Sequence, residues 1–235
     1  MKPGTLYLIP VTLGGQAEEA LPAHVLGIAR QLDTFVVENE KSARQFLGEV
    51  KTAKPIRDLT LLTLNEHTTD KELPALLAPL LAGKDIGLVS EAGCPGVADP
   101  GAKLVALAHR RGVPVKPLIG PSSLLLSLMA SGLEGQRFAF LGYLPSEKNQ
   151  RVQKIREIEQ KSRVQQETQI FIETPYRNQH LLQDLLASCR AETRLCIACN
   201  LTLVDELILT RAIAEWRSSE LPDLHKRPTV FLLLG

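Results

Sequence analysis

The stretch E-A-G-C-P-G-V-A-D-P-G, Glu91–Gly101, holds the residues best suited to gripping a small molecule. Gly93, Gly96 and Gly101 leave main-chain amides and carbonyls open to close approach, while Pro95 and Pro100 keep the bend stiff. Such a composition neither continues a strand nor makes a regular helix. The spacing G-x-x-G-x-x-x-x-G differs from the dinucleotide pattern G-x-G-x-x-G, and no G-K-[ST] follows, so neither that fingerprint nor a phosphate loop is present. Two readings stand: a ligand-holding loop, or a tight structural turn.

The cysteines point to little chemistry. Cys196 and Cys199 form a C-x-x-C inside R-L-C-I-A-C-N-L, which reads as a strand. On a strand their side chains face opposite ways, where they neither chelate nor bridge easily. Cys94 lies in the central loop, and a small buried side chain explains it as well as reactivity does. No metal site and no redox chemistry is expected.

The elements around the central loop place it. Ile86–Ser90 is a short apolar segment of buried-strand length, and Leu104, Val105, Leu107 and Ala108 recur at helical spacing before Gly112. Val113–Ile119 reads as the next strand. The loop therefore follows a strand's carboxyl end, where open α/β sheets hold their ligands. Upstream, Thr5–Val11, Thr34–Val37 and Leu59–Leu64 read as strands, and Glu38 and Asn39 fall at a carboxyl end. Helices are expected through Leu21–Arg30, Arg44–Val50 and Leu73–Leu80, the last capped by Asp70. Five strands alternating with helices predict a parallel sheet in an N-terminal α/β domain, residues 1–119.

From residue 120 the pattern changes. An apolar helix over Leu124–Met129 precedes strands at Phe138–Tyr143, Gln169–Ile172, Leu195–Asn200, Glu206–Leu209 and Thr229–Leu234. Consecutive strands with fewer helices between them predict a mixed sheet in a C-terminal α/β domain, residues 120–235. Residues 147–163 read as a helix with Val152, Ile155 and Ile158 inward and a basic outer face.

The 27 basic and 26 acidic residues nearly cancel, so a nucleic acid would have to be met by a local patch and not by a global field. No apolar run reaches the roughly 18–20 residues of a membrane span. The opening M-K-P-G-T-L-Y-L-I-P-V lacks the apolar core and cleavage site of a secretory signal, so a cytoplasmic protein is expected.

Taken together and in order, L-Y-L-I, E-N-E-K, N-E-H, S-E-A-G-C-P-G-V-A-D-P-G, I-G-P-S-S, G-Y-L-P and I-E-T-P-Y-R-N resemble the tetrapyrrole-methylase-like superfamily. They are most similar to its branch that 2′-O-methylates a cytidine ribose in small-subunit ribosomal RNA. The resemblance implies the tetrapyrrole methylase-like fold, a homodimer, and S-adenosylmethionine as methyl donor in the cleft between the domains. Carried over by position, it gives the donor Ser90, Glu91, Ala92, Gly93, Val97, Ser122, Ser123, Thr174 and Leu201. The substrate motifs depart from that branch. T-L-G-G stands for its Pro-Ile-Gly-Asn-type turn, E-N-E-K for Glu-Asp-Thr-Arg, and Tyr176 for a histidine.

Methyl transfer to a ribose hydroxyl gains from a proton acceptor within hydrogen-bond reach. Glu38, His67 and Glu173 are the candidates, with Glu91 a further carboxylate at a strand end. Lys41, Arg44 and Arg177 are candidate phosphate contacts. Three functions are open: a ribosomal RNA methyltransferase, a methyltransferase acting on a small molecule or protein, and a binding protein that kept the fold.

Overall fold

The computed structural model describes residues 2–235; the first residue of the expected N-terminal domain lies outside the described residues. The chain divides into two compact units, the first reaching to Ser122 and the second spanning Ser123–Gly235. The sequence places the change at about residue 119.

The first unit holds β1 (Leu6–Ile9), α1 (Ala17–Ala20), α2 (Ala23–Gln31), β2 (Thr34–Val37), α3 (Glu40–Val50), β3 (Thr60–Thr63), α4 (Leu73–Leu81), β4 (Ile86–Val89), α5 (Gly101–Arg110) and β5 (Val115–Pro117). Its sheet runs β3-β2-β4-β1-β5, and every pairing is parallel. The T-F-V-V and I-G-L-V runs of β2 and β4 are buried throughout, because parallel strands with helices on both faces show no water-facing side. Alternation along each strand sorts the core. Ile9, Phe35, Val37 and Val89 join the residues of α2 and α3 on one face, while Leu6, Val36, Ile86 and Leu88 join those of α4 and α5 on the other. Gly87 lies at a close approach on the first face. A Cβ there would stand 2.6 Å from Ile9 Cδ1 and 2.7 Å from Phe35 Cδ1.

Three expectations are corrected here. The α3 helix begins at Glu40, earlier than the apolar spacing indicates, because Asn39 caps it: its Oδ1 accepts from the amides of Lys41 at 2.8 Å and Ser42 at 3.4 Å. Asp70 does not cap α4. It pairs with Lys103 at 2.8 Å, and Glu72 Oε2 instead takes the Thr69 amide and hydroxyl. The β5 strand, Val115–Pro117, is shorter than Val113–Ile119, and Pro114 before it lacks the amide that would extend its ladder.

The second unit holds α6 (Ser123–Ser131), β6 (Phe138–Tyr143), α7 (Lys148–Gln165), β7 (Thr168–Ile172), α8 (Asn178–Ser188), β8 (Arg194–Cys199), β9 (Leu207–Ala212), α9 (Ile213–Arg217) and β10 (Thr229–Leu234). Its sheet is mixed, in the order β6-β7-β10-β8-β9, with only β6 and β7 parallel. Leu195, Ile197 and Cys199 of β8 enter one core with α7, α8 and Trp216, whose Nε1 donates to Leu195 O at 2.9 Å. Cys196 points to the other face, so the C-x-x-C thiols are separated as strand geometry requires.

The basic face expected of α7 is incomplete. Arg151 turns inward, donating to Asp184 Oδ2 at 2.8 Å and to Ser146 O at 2.7 Å. Glu159 is also buried, accepting from the Arg190 amide and the Thr193 hydroxyl. Helical spacing alone cannot separate these two from their solvated neighbours, because each is buried only through a partner distant in sequence.

Candidate functional site

Because β2, β4 and β1 are neighbours in the parallel sheet, their carboxyl ends bring three loops together. The loop after β4 is fastened to the exit of β1: Val11 and Gly93 exchange main-chain hydrogen bonds at 2.9 and 3.0 Å. Gly93 holds φ +70, and a Cβ there would meet Leu13 Cδ2 at 3.4 Å and Pro121 O at 3.7 Å. Its own amide and carbonyl are spent on Val11, so Gly93, itself buried, fixes the loop.

A second fastening closes the loop on itself. Asp99 Oδ1 accepts from the amides of Gly96 at 2.7 Å and Gly101 at 2.8 Å. Between these points Gly96 and Ala98 both take positive φ, +81 and +60, a conformation disfavoured for the alanine unless its surroundings impose it. Ser90 is nearly buried and donates to Ala92 O at 3.3 Å. Glu91, Ala92 and Val97 stand exposed.

Glu38 leaves β2 half-buried beside this loop. With Leu64, Leu88, Val89, Ser90, Asp99, Pro100 and Gly101 it lines an open depression. Burial raises its pKa above the ordinary carboxylate value, with the charges of Glu91 and Asp99 adding to the effect and a hydrogen bond to the Glu91 backbone opposing it. Burial likewise raises Asp99, against the pull of its two amide donors. Glu91 approaches the α3 side, where Ser42 Oγ donates to its Oε1 at 3.4 Å and to Asn39 O at 3.2 Å.

The other acid–base candidates are placed differently. His67 lies on the loop after the edge strand β3, exposed and 3.6 Å from Glu66, and does not line the depression. Glu173 belongs to the second unit, at the exit of β7. Its Oε1 accepts from the Thr174 amide at 2.6 Å and from Arg177 Nε and Nη2 at 3.1 and 2.7 Å, while Oε2 is buried without a partner. Arg177 is thus occupied by a carboxylate of its own fold. Leu201 is buried beyond the end of β8, and Ser122 and Ser123 are partly covered. Lys41 is exposed in the first turn of α3, and Arg44 pairs with Glu40 at 2.9 Å.

Glu38, Ser90, Ala92, Gly93 and Glu91 thus come together in the first unit, and Glu173, Thr174 and Arg177 in the second. Asp99 is the residue that sequence reasoning passed over. Its signal was the D-P-G that ends the loop, an acid set beside the helix start whose amide it takes. Among the described residues no cluster of three or more His, Cys, Asp or Glu is arranged to hold a metal ion.

The family model described as tetrapyrrole (corrin/porphyrin) methylases matches residues 5–216. A ribosomal RNA small subunit methyltransferase I of Vibrio cholerae is 32% identical over 210 residues, covering 89% of this chain and 69% of that protein. One from Xylella fastidiosa is 29% identical over 232 residues, covering 99% and 81%. Among solved structures, the methyltransferase CobJ aligns over 100% of this chain and 95% of its own, at 16% identity and TM-score 0.65. The cobalt precorrin-4 methyltransferase CbiF aligns over 98% and 94%, at 13% and 0.60. These two likenesses are of fold.

Proposed function

The chain belongs to the tetrapyrrole (corrin/porphyrin) methylase family and is an S-adenosylmethionine-dependent methyltransferase, and we propose that its acceptor is a ribose 2′-hydroxyl of small-subunit ribosomal RNA. The relatives that carry the acceptor reading are named for the small-subunit RNA and match along nearly the whole chain. The observation that carries the chemistry is Glu38, a half-buried carboxylate with a raised pKa beside the glycine loop.

The loop suits the donor. Gly93 holds the loop at φ +70 with both main-chain groups bonded to Val11, and Ala92 beside it keeps the exposed side of the loop small. Bound there, S-adenosylmethionine supplies a sulfonium methyl group open to in-line displacement. Ser90, Glu91, Ala92, Gly93 and Val97 hold it, and the Val11 and Asp99 fastenings keep them from shifting. Glu38 receives the ribose hydroxyl proton on a carboxylate oxygen. Its raised pKa makes it a stronger base than an ordinary carboxylate. Lys41 and Arg44 meet the RNA backbone from α3, and Arg177 keeps the buried Glu173 in place. The same reading makes the enzyme a cytoplasmic homodimer; no helix of the described residues is long and apolar enough to cross a membrane.

The test supplies labelled S-adenosylmethionine and the purified protein to an extract of cells lacking the gene, then separates RNA, protein and small molecules. Label in small-subunit RNA, resistant to base at one ribose, is the expected result. Label confined to protein or to a tetrapyrrole-sized molecule would overturn the ribosomal reading.

A further inference from the structure

Where β7 ends, the second unit carries an aromatic side chain that its own packing does not use. Tyr176 follows Pro175 in the turn leading into α8, and the residue is 65% exposed. Two groups from the loop before β10 are set against it. His225 meets the ring edge-on, with centroids 6.1 Å apart and planes at 78°. The Lys226 ammonium stands 5.9 Å from the ring centroid. The nearby cations Arg177 and Arg227 are neutralised by Glu173 and Asp205. Among the described residues the side chains of His225 and Lys226 have no carboxylate partner; the His225 amide donates to Asp223 Oδ1 at 2.9 Å.

The arrangement is held by the backbone. Lys226 takes φ +60, a conformation that costs a residue with a Cβ free energy, and its amide donates to Pro175 O at 3.0 Å. Asn178 Nδ2 donates to Arg227 O at 2.7 Å, and the Leu224 amide to Gln179 Oε1 at 3.2 Å. The loop and the turn are therefore one block, and the ring is presented in a fixed position before any ligand arrives.

An open aromatic face beside an unpaired ammonium matches the chemistry of a single-stranded nucleic acid, whose bases stack while its phosphates seek positive charge. Bases inside a duplex offer no such face. In a chain with almost no net charge, a local patch of this kind is what could recognise RNA. We propose that Tyr176, flanked by His225 and Lys226, is the stacking platform for an unpaired base of the RNA that the enzyme methylates. The inference rests on the ribosomal RNA reading above.

The test uses the full chain and single-stranded RNA oligonucleotides of small-subunit sequence, with a terminal dye to follow binding and 2-aminopurine at successive positions to report stacking. Wild-type protein should bind and quench 2-aminopurine at one position. Tyr176→Ala should weaken binding about 5- to 150-fold and abolish that quenching. Tyr176→Phe should retain both, and Lys226→Gln should flatten the log–log salt dependence by about 0.7. The exposure of Tyr176 predicts unchanged melting for its variants, so a loss of binding is not a loss of fold. A wild-type protein that binds RNA, with Tyr176→Ala binding and quenching equally well, overturns the platform alone. A wild-type protein that binds no RNA overturns the ribosomal reading and the platform with it.

Discussion

At the scale of single residues, the carboxylates divide by what surrounds them. Glu38 is half-buried with its pKa raised, whereas Glu173 is buried with one carboxylate oxygen held by Arg177. Glu38→Gln should lower the rate of methyl transfer roughly 10²- to 10⁴-fold, the usual span for losing a general base, while leaving donor binding within a few-fold. Single-turnover kinetics and calorimetry separate the two. The same substitution has a stability signature. A raised pKa means that the folded protein binds the proton more tightly than the unfolded chain does, so stability falls as pH rises from the ordinary 4.5 through the raised value. Glu38→Gln removes that loss. The variant should melt higher than wild type at pH 7, and the difference should vanish below about pH 4; a variant that melts lower at pH 7 would contradict the raised pKa.

At the scale of elements, the turn from β2 into α3 shows how a substitution in a motif can leave geometry untouched. Asn39 stands where the resembling branch has an acid, yet either side chain offers the oxygen that accepts the first free amides of the helix. Asn39→Ala should cost about 1 kcal/mol in urea unfolding, and Asn39→Asp should restore most of it. Since α3 carries Lys41, Arg44 and the Ser42 hydroxyl that reaches Glu91, the alanine variant should also lose methylation. Unchanged turnover would place α3 outside the working site. The cap was legible in the sequence only in hindsight, because E-N-E-K reads as a polar loop until the helix behind it is known to start at Glu40.

At the scale of the whole molecule, charge is balanced overall and concentrated locally. Asp33 is an example of a local knot: its carboxylate takes Lys54 at 2.7 Å and Lys84 at 2.9 Å, and those two lysines hold its pKa far below the usual carboxylate range. A depressed pKa contributes stability that is present above the ordinary 3.8 and lost as pH falls through the depressed value. Asp33→Asn should therefore melt lower than wild type at pH 7, and the gap should narrow as the pH is taken below 3.8 towards 2. For RNA, near neutrality predicts a shallow salt dependence. If about three phosphates are met by local cations, the log–log slope of affinity against salt should be near −2, and a slope several times steeper would point to a broad basic surface that the sequence does not contain.

The sequence by itself determined the fold class and the place of the glycine-rich loop after β4. Apolar runs of strand length alternate with helical spacing in the first half, and only a parallel sheet buries both faces of T-F-V-V and I-G-L-V. Glycines and prolines after β4 marked the loop because their backbone chemistry is local. What the tertiary structure alone decided depends on partners far apart in the chain. Arg151 and Glu159 sit inside because Asp184 and Thr193 reach them from other elements. Asp70 left its helix for Lys103, and Asp99 became the clasp of the loop. Glu38 gained its raised pKa only when the sheet order laid the end of β2 beside the end of β4. Periodicity reports which residues share a face of one element. It carries no term for the charge or hydrogen bond that a second element brings to that face, and beside the loop after β4 such contacts help to set the pKa of Glu38.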